Sequence, residues 1–197
     1  STIRRDIIAL DKDGRLTKVF GGAIALHQAQ IVNKELSMVQ KQELQTVEKQ
    51  TIAKYAASLI EPDDCVYLDA GTTTGWMIEY IREEKATYVT NALSHAKRLA
   101  DKGFCVILIG GEPKSSTDAI VGAEAVLNLQ KYHFSKGFFG VNGVDRTSGF
   151  TTPDAREAMV KQVAVKNTQP AHRYFLTTAS KFGEVYAVTF AGFESGV

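Results

Sequence analysis

The amino-acid sequence predicts an α/β protein in which a largely parallel sheet is covered by helices on both faces. Three observations support this fold class. Beyond residue 64, short apolar runs rich in Val, Ile, Tyr and Phe alternate with segments of helical periodicity. The intervening segments are long enough to act as crossover connections between parallel strands. Small and polar residues follow each run directly, as they do where parallel strands end beside a ligand.

Length and composition narrow the class of protein further. The chain has 197 residues, 44% of them apolar and 23% charged, which excludes disordered, collagen-like and disulfide-dense proteins. Because Lys and Arg number 23 against 22 Asp and Glu, any contact with nucleic acid must depend on a local patch. No apolar run approaches the length of a membrane span, and the first residues do not resemble a signal peptide. We therefore expect a cytoplasmic protein without membrane contact.

The first elements form a small basic unit over residues 1–26. Apolar residues recur at spacings of four and three from Ile3 to Leu10, which predicts an amphipathic helix. Asp13-Gly14 is a strong turn signal, and the run that follows it, 16–20, is predicted to be a strand. The unit carries a net charge of +2. The order is therefore helix, turn and basic ribbon.

A polar linker, 27–37, leads to a second domain over 38–197. Helical periodicity resumes over 35–60, until Pro62 ends it. One broad apolar face of this helix is formed by Leu44, Val47, Ile52, Tyr55, Ala56 and Leu59.

The remaining elements alternate along the chain. Strands are predicted over 65–69, 87–90, 105–109, 137–141 and 174–178, and helices over 74–82, 92–102, 123–132 and 153–167. Cys65 and Cys105 each open a strand, where a buried free thiol is usual.

The loop after the first of these strands, 69–74, has the composition of a phosphate-binding loop. Gly71 lets backbone N–H groups approach an anion, the threonines offer hydroxyl donors, and the next helix presents its N-terminal dipole. A threonine-capped helix start has the same composition, so both interpretations stay open. The loop lacks the Gly-Lys-Ser/Thr ending of a nucleotide-binding P-loop, so a small phosphorylated ligand is favoured.

Other side chains at the strand ends could complete a ligand site. Lys181 is the best-placed cation for a phosphate, and Lys114 is the second. Glu157 and Lys161 are spaced as a surface ion pair on one helix. The acceptors and amides that a polyol needs are supplied by Asp69, Asn91, Asn142 and Asp145. The four histidines are scattered without the spacing of metal ligands, so neither a metal nor a cofactor is predicted.

Motifs spread along nearly the whole chain carry a resemblance to a known family. Near the start they are Ser1-Thr2-Ile3-Arg4-Arg5-Asp6, Gly14-Arg15-Leu16 and Phe20-Gly21-Gly22-Ala23. Further along they are Glu48-Lys49 with Ile52-Ala53, Leu68-Asp69-Ala70-Gly71-Thr72-Thr73, Thr90-Asn91, Gly110-Gly111, Val121-Gly122, Phe139-Gly140-Val141-Asn142-Gly143, Gly149-Phe150-Thr151-Thr152, Glu157-Ala158 with Lys161, and Ser180-Lys181-Phe182-Gly183. The chain resembles DeoR-family transcriptional repressors, from the end of their winged helix-turn-helix through their sensor domain.

The resemblance implies a bacterial repressor of a sugar-utilisation operon linked to the sugar phosphotransferase system. Its sensor would have the Rossmann-like fold shared by ribose-5-phosphate isomerase and CoA transferases. The implied inducer is a phosphorylated sugar of the fructose 1-phosphate or tagatose 6-phosphate type. The implied partners are operator DNA and further copies of the chain, in a homodimer or homotetramer joined through the 35–60 helix.

The resemblance also implies roles for individual residues. The residues expected to line the effector pocket from this resemblance are Asp69, Gly71, Thr72, Thr73, Thr74, Thr90, Asn91, Gly110, Gly111, Gly140, Asn142, Gly143, Thr152, Glu157 and Lys181. Lys114, the second cation named above, is expected to join them. DNA would be contacted by Thr2, Arg4 and Arg5 on the recognition helix, and by Arg15 and Lys18 on the wing.

Two departures from the family pattern affect these expectations. The family commonly carries an Asp where this chain has Thr178, so the acceptors around Lys181 differ. The family also has further residues of the DNA-binding domain before the position of Ser1. We therefore expect the chain as printed to sense its effector but to bind DNA weakly.

The alternative function is a sugar-phosphate isomerase on the same fold, with an acidic base and with Lys181 stabilising an enediolate. The resembling isomerases carry a cluster of acids where this chain has 140–145, which contains a single acid, Asp145. A basic N-terminal unit also has no role in an isomerase. We therefore expect a binding protein rather than an enzyme.

Overall fold

A computed structural model describes residues 2–12, 16–19, 22–25, 30–31 and 44–196. The chain divides into two units, Ser1–Gln30 and Ile31–Val197. Within the described residues, no helix is both long enough and apolar enough to span a membrane.

The N-terminal unit contains a helix followed by an antiparallel strand pair. Helix α1 is Thr2–Lys12, and strands β1 (Leu16–Val19) and β2 (Gly22–Ala25) pair with Val19 opposite Gly22. The predicted helix and ribbon are therefore confirmed, while β2 was not predicted. Arg4 and Arg5 are exposed on α1. Arg15, the Asp13-Gly14 turn and the side chains of Thr2 and Lys18 lie outside the described residues.

The helix predicted over 35–60 is shorter than its periodicity suggested. A short strand, β3 (Gln30–Ile31), precedes it, and helix α2 spans only Thr46–Ala57. Gln45 has a φ of 53° and a ψ of 40°, so the chain turns there and a helix cannot run through it. The predicted start of this helix, 35–43, lies outside the described residues. The apolar face was also partly wrong, because Val47 and Tyr55 are 76% and 71% exposed.

The predicted alternation of strands and helices is present in the remaining elements, with additional short strands between its members. In chain order they are β4 (Cys65–Leu68), α3 (Thr72–Tyr80), β5 (Thr87–Thr90), α4 (Leu93–Asp101), β6 (Cys105–Leu108), β7 (Glu112–Lys114), β8 (Ala119–Val121), α5 (Ala123–Leu129), β9 (Lys136–Gly140), β10 (Gly143–Asp145), β11 (Gly149–Thr152), α6 (Ala155–Lys166), β12 (Arg173–Leu176), β13 (Glu184–Val185) and β14 (Val188–Ala191). Short 3₁₀ turns occur at Pro170–His172, Ala179–Lys181 and Phe193–Ser195.

Five strands form one parallel sheet in the order β12-β9-β4-β5-β6. This arrangement confirms the predicted α/β class. Two smaller antiparallel assemblies, β10-β11-β14 and the β7-β8 hairpin, were not predicted. Their strands are three or four residues long, and no separate strand was predicted at any of these positions.

Apolar side chains cover both faces of the parallel sheet. Tyr67 points into one cluster with residues of α5 and α6, whereas its neighbours Val66 and Leu68 point into another with residues of α2, α3 and α4. Strand β4 is therefore central and buried on both faces. All five parallel strands end at the same edge of the sheet, where the polar loops collect.

The two cysteines differ from their expected burial. Cys65 is half-buried and Cys105 is exposed, and both are free thiols. The exposure of Cys105 follows from the topology, since β6 is an edge strand of the parallel sheet.

Candidate ligand-binding cavity

A cavity of about 310 Å³, here called the main cavity, lies at the carboxyl ends of β4, β9 and β12. This is the place where open α/β sheets bind ligands. It is lined by Leu44, Gln45, Lys49, Ala70, Gly71, Thr72, Thr73, Thr117, Gly140, Val141, Asn142, Glu157, Lys161, Leu176, Thr177, Thr178, Ser180, Lys181 and Tyr186.

The loop 70–73 presents the N-terminus of α3 to the main cavity. Gly71 is the N-cap residue, and no side chain makes a capping hydrogen bond there. The first intrahelical bond runs from the Gly75 N–H to the Gly71 carbonyl, 3.0 Å away. The N–H groups of residues 72–74 therefore precede the hydrogen-bonded ladder, and they give this wall of the cavity a positive dipole end.

Residues beneath the loop hold it in place. The Asn91 side-chain oxygen accepts from the Ala70 N–H at 2.8 Å, and the Thr90 hydroxyl donates to the Leu68 carbonyl at 2.6 Å. The Thr74 hydroxyl donates to the carbonyls of Asp69 and Gly71 at 2.7 and 3.0 Å. Because these three side chains are buried and satisfied by the backbone, they position the loop from outside the main cavity.

An almost fully buried ion pair supports the centre of the site. The Lys161 ammonium donates to Asp69 Oδ2 and, at 3.0 Å, to the Gly140 carbonyl. Asp69 Oδ2 also accepts from the Gly140 N–H at 2.9 Å, so the pair fixes the end of β9. Burial raises the pKa of the Asp69 carboxyl above its usual value, although the nearby Lys161 charge opposes this.

The surface ion pair that the spacing of Glu157 and Lys161 allowed is not formed. Both side chains are buried, and Glu157 instead accepts from Lys114 at 3.0 Å and from the Thr117 hydroxyl at 2.6 Å. Lys114 also contacts Asp154 at 2.9 Å. The side of α6 that carries Glu157 and Lys161 therefore faces the interior and the main cavity.

A third wall joins the start of α2 to the loop after β12. The Thr178 hydroxyl donates to Gln45 Oε1 at 2.7 Å, and the Ser180 hydroxyl donates to the same oxygen at 3.1 Å. Lys181 contacts Glu184 at 3.3 Å beside them. Thr178, the position where the family commonly has Asp, is thus engaged with a residue of α2's first turn.

The main cavity brings together part of the predicted site set, namely Gly71, Thr72, Thr73, Gly140, Asn142, Glu157 and Lys181. The other members lie around it and not on its wall: Asp69, Thr74, Thr90, Asn91, Gly110, Gly111, Lys114, Gly143 and Thr152.

Two of these glycines have packing reasons of their own. Gly111 has a φ of 141°, and a Cβ there would lie 2.7 Å from the Val121 carbonyl oxygen. A Cβ on Gly143 would lie 2.8 Å from the Glu184 carbonyl carbon. Both positions therefore require glycine for close backbone approach.

Sequence reasoning missed several lining residues, above all Gln45, Lys49, Lys161 and Thr117. Lys49 and Lys161 are 7% and 4% exposed, so they line the cavity from buried helix faces. The signal for Lys161 was present, because it belongs to a family motif. Lys49 belongs to a family motif as well, Glu48-Lys49, whereas Gln45 gave no signal, since it stands in a polar stretch typical of a solvated helix.

A second cavity of about 340 Å³ shares Gly71 and Thr72 with the first. Its wall includes His95, whose Nε2 lies 3.2 Å from the Gly71 carbonyl. A carbonyl only accepts, so Nε2 carries the hydrogen, and the buried Nδ1 has no partner among the described residues. Burial lowers the pKa of His95 to about 4. No group of His, Cys, Asp and Glu in the described segments is arranged to hold a metal ion.

Solved structures with this fold include ribose 5-phosphate isomerases. The isomerase A of Neisseria gonorrhoeae aligns with a TM-score of 0.50 at 11% identity, covering 75% of this chain and 56% of that one. The enzyme of Methanocaldococcus jannaschii aligns with a TM-score of 0.50 at 16% identity, covering 70% and 54%. This chain thus spans little more than half of either enzyme. At such identities the likeness establishes the predicted fold alone.

Sequence relatives are transcriptional regulators. The chain is 44% identical over 193 residues to the uncharacterized HTH-type transcriptional regulator FruR of Bacillus subtilis, covering 98% of this chain and 75% of that protein. It is 39% identical over 186 residues to the lactose phosphotransferase system repressor of Staphylococcus aureus, covering 93% and 72%. Both relatives are named as transcriptional regulators, which favours a regulator over the isomerase alternative.

Family models match both parts of the chain. A DeoR-like helix-turn-helix domain matches residues 1–29, and the DeoR C terminal sensor domain matches residues 44–196. The second match includes every described residue that lines the main cavity. The chain therefore belongs to the DeoR family of helix-turn-helix transcriptional regulators.

Proposed function

We propose that this protein represses a sugar-utilisation operon and that a phosphorylated sugar in the main cavity acts as its inducer. The observation that carries this proposal is the uncapped start of α3, which opens into a cavity with three lysines on its wall. A helix N-terminus and lysines together suit a phosphate. A regulator of transcription in a bacterium works beside the chromosome, so we infer a cytoplasmic location.

The charges around the main cavity favour an anion. Lys49, Lys161 and Lys181 line it, against one lining acid, Glu157, which already has Lys114 as a partner. Asp69 lies behind the wall and is occupied by Lys161. The phosphate would therefore meet the N–H groups of 72–74 together with lysine ammonium groups on the cavity wall.

The rest of the cavity suits a sugar. Hydroxyl and amide groups of Asn142, Thr177, Thr178 and Ser180 line the main cavity in the segments that follow β9 and β12. The volume of about 310 Å³ is at the small end of the range of about 300–1,000 Å³ for ligand cavities, which favours one monosaccharide phosphate. We infer an inducer of the fructose 1-phosphate or tagatose 6-phosphate type, in keeping with a relative named for the lactose phosphotransferase system.

Thermal unfolding against a panel of sugar phosphates, each beside its parent sugar, tests the inducer. A ligand that binds only the folded state stabilises it by about 2.7 kcal/mol at a hundredfold excess over Kd. We expect a shift with one phosphate ester, none with its parent sugar, and a smaller one in Lys181→Ala. Lys131→Ala, an exposed lysine outside the cavity, is the matched control. The absence of a shift with every ester would contradict the phosphate site.

We propose DNA contacts through the N-terminal unit, from Arg4 and Arg5 on α1 with Thr2, Arg15 and Lys18. Exposed arginines on a recognition helix meet bases and phosphates of the major groove. Arg4→Ala and Arg5→Ala should each weaken binding to a duplex from upstream of the protein's own gene, and a lost phosphate contact should reduce the salt slope by about 1. Anisotropy at several salt concentrations measures this, and unchanged binding in both variants would remove the assignment.

A further inference from the structure

Gln45 combines two unusual properties: its backbone is left-handed, and its side chain is hydrogen-bonded to residues that line the main cavity. Its φ of 53° lies in the left-handed region, which residues with a Cβ rarely adopt unless their surroundings hold them there. It is also the N-cap residue of α2, yet its side chain makes no capping bond. The side chain instead accepts hydrogen bonds from the loop after β12.

The hydroxyls that hold Gln45 belong to the cavity wall. Thr178 and Ser180 both donate to Gln45 Oε1, at 2.7 and 3.1 Å, and all three residues line the main cavity. Thr178 is buried, so water has little access to its hydroxyl as an alternative hydrogen-bond partner. These bonds compete directly with any ligand oxygen placed at the same end of the cavity.

The backbone of Gln45 also begins α2. Its carbonyl accepts from the Lys49 N–H at 3.0 Å, the bond that closes the first turn of the helix. This turn lies at the start of the sensor domain, 44–196, which follows the helix-turn-helix domain, 1–29, in the sequence. A change in Gln45 therefore acts on the point where the sensor begins.

We propose that Gln45 is the residue through which occupancy of the main cavity is transmitted to the first turn of α2. A sugar oxygen accepts the Thr178 and Ser180 hydroxyl bonds in place of Gln45, and the released Gln45 leaves the left-handed conformation. The empty and occupied states then differ in hydrogen bonding, so the ligand has the differential affinity that a shift between states requires. This inference rests on the proposed function, since it names the residue through which ligand binding at that same site is transmitted to α2.

The first test needs no ligand and uses the whole chain. The double variant Thr178→Val with Ser180→Ala removes both hydroxyls that hold Gln45. Hydrogen–deuterium exchange at the amides of 49–51, the first of which is bonded to the Gln45 carbonyl, should rise about tenfold, because the turn is no longer fixed. Ser58→Ala is the matched control, since it removes a hydroxyl bond of 2.7 Å at the other end of α2 and should leave these amides unchanged. Exchange equal to that of the native chain would overturn the proposal.

The second test adds fructose 1-phosphate or tagatose 6-phosphate, with fructose as the control. We expect a phosphate ester that stabilises the native chain in thermal unfolding to change exchange at 49–51 as well. An ester that stabilises the chain but leaves this exchange unchanged contradicts the role of Gln45 and leaves the proposed function standing. If no ester stabilises the chain, the proposed function fails, and the inference fails with it.

Discussion

Asp69 and Lys161 form an ion pair whose members are 1% and 4% exposed, so each charge depends on the other. Removing one partner of such a pair leaves an uncompensated charge out of water. Lys161→Met should therefore lower the free energy of unfolding by about 3 kcal/mol. Urea denaturation measures this loss.

The double variant Asp69→Asn with Lys161→Met is the control for this prediction. It removes both charges and keeps an acceptor for the Gly140 N–H, so it should recover most of the lost stability. If the double variant is as unstable as the single one, the loss comes from packing and not from the stranded carboxylate.

His95 makes stability depend on pH. Its pKa is about 4 in the folded chain against an ordinary value of 6.5, because burial disfavours the charged ring. Between these values the unfolded chain binds more protons, so stability is full above pH 6.5 and falls towards pH 4. The contribution of His95 to this fall is up to about 3 kcal/mol. The free energy of unfolding, measured at a series of pH values, should change less with pH for His95→Gln than for the native chain. The same pH dependence in both proteins would contradict the role of His95.

At the scale of single residues, sequence predicted the types of the site residues better than their contacts. Gly71, Asn142 and Lys181 follow strands, and the strand pattern alone places such residues at one edge of the sheet. Lys161 shows the limit of that reasoning. A spacing of four residues identifies Glu157 as its neighbour on α6, but it does not say that the sheet buries that side of the helix.

At the scale of elements, Gly111 holds the start of the β7-β8 hairpin against its partner strand. A Cβ at this position would meet the Val121 oxygen at 2.7 Å, and its φ of 141° is strained for other residues. Gly111→Ala should cost about 3 kcal/mol. Gly103 is the matched control, because its φ is 85° and a Cβ there meets nothing within 4 Å. Gly103→Ala should cost about 1 kcal/mol, and equal losses in denaturation would contradict the steric argument.

The five parallel strands could be predicted because each is a separate apolar run between helices. The start of α2 could not. Periodicity continues through 44–45, whereas Gln45 has a φ of 53° and its side chain accepts a hydrogen bond from Thr178, which is far away in the sequence. Contacts between distant segments decide such boundaries, and a local pattern does not contain them.

At the scale of the whole molecule, α2 leaves an apolar stripe exposed. Val47 and Tyr55 are two turns apart on it and are mostly uncovered. We predict that this stripe joins copies of the chain in a homodimer or homotetramer, as operators with paired half-sites require. Sedimentation should give the mass of an oligomer at micromolar concentration and a lower mass for Tyr55→Glu. Met159→Glu, at an exposed apolar residue of α6, should leave the mass unchanged, and a monomeric native chain would contradict the prediction.

The contrast between the two free thiols makes the native chain suitable for site-specific labelling. Cys105 is exposed on the edge strand, whereas burial and the nearby Asp64 charge raise the pKa of the half-buried Cys65. The thiolate is the form of the side chain that attacks an alkylating reagent, so a maleimide dye should modify Cys105 first. Cys105 does not line the main cavity, so the dye would leave that cavity clear. Energy transfer between dyes on two copies would then report their association without any substitution in the sequence.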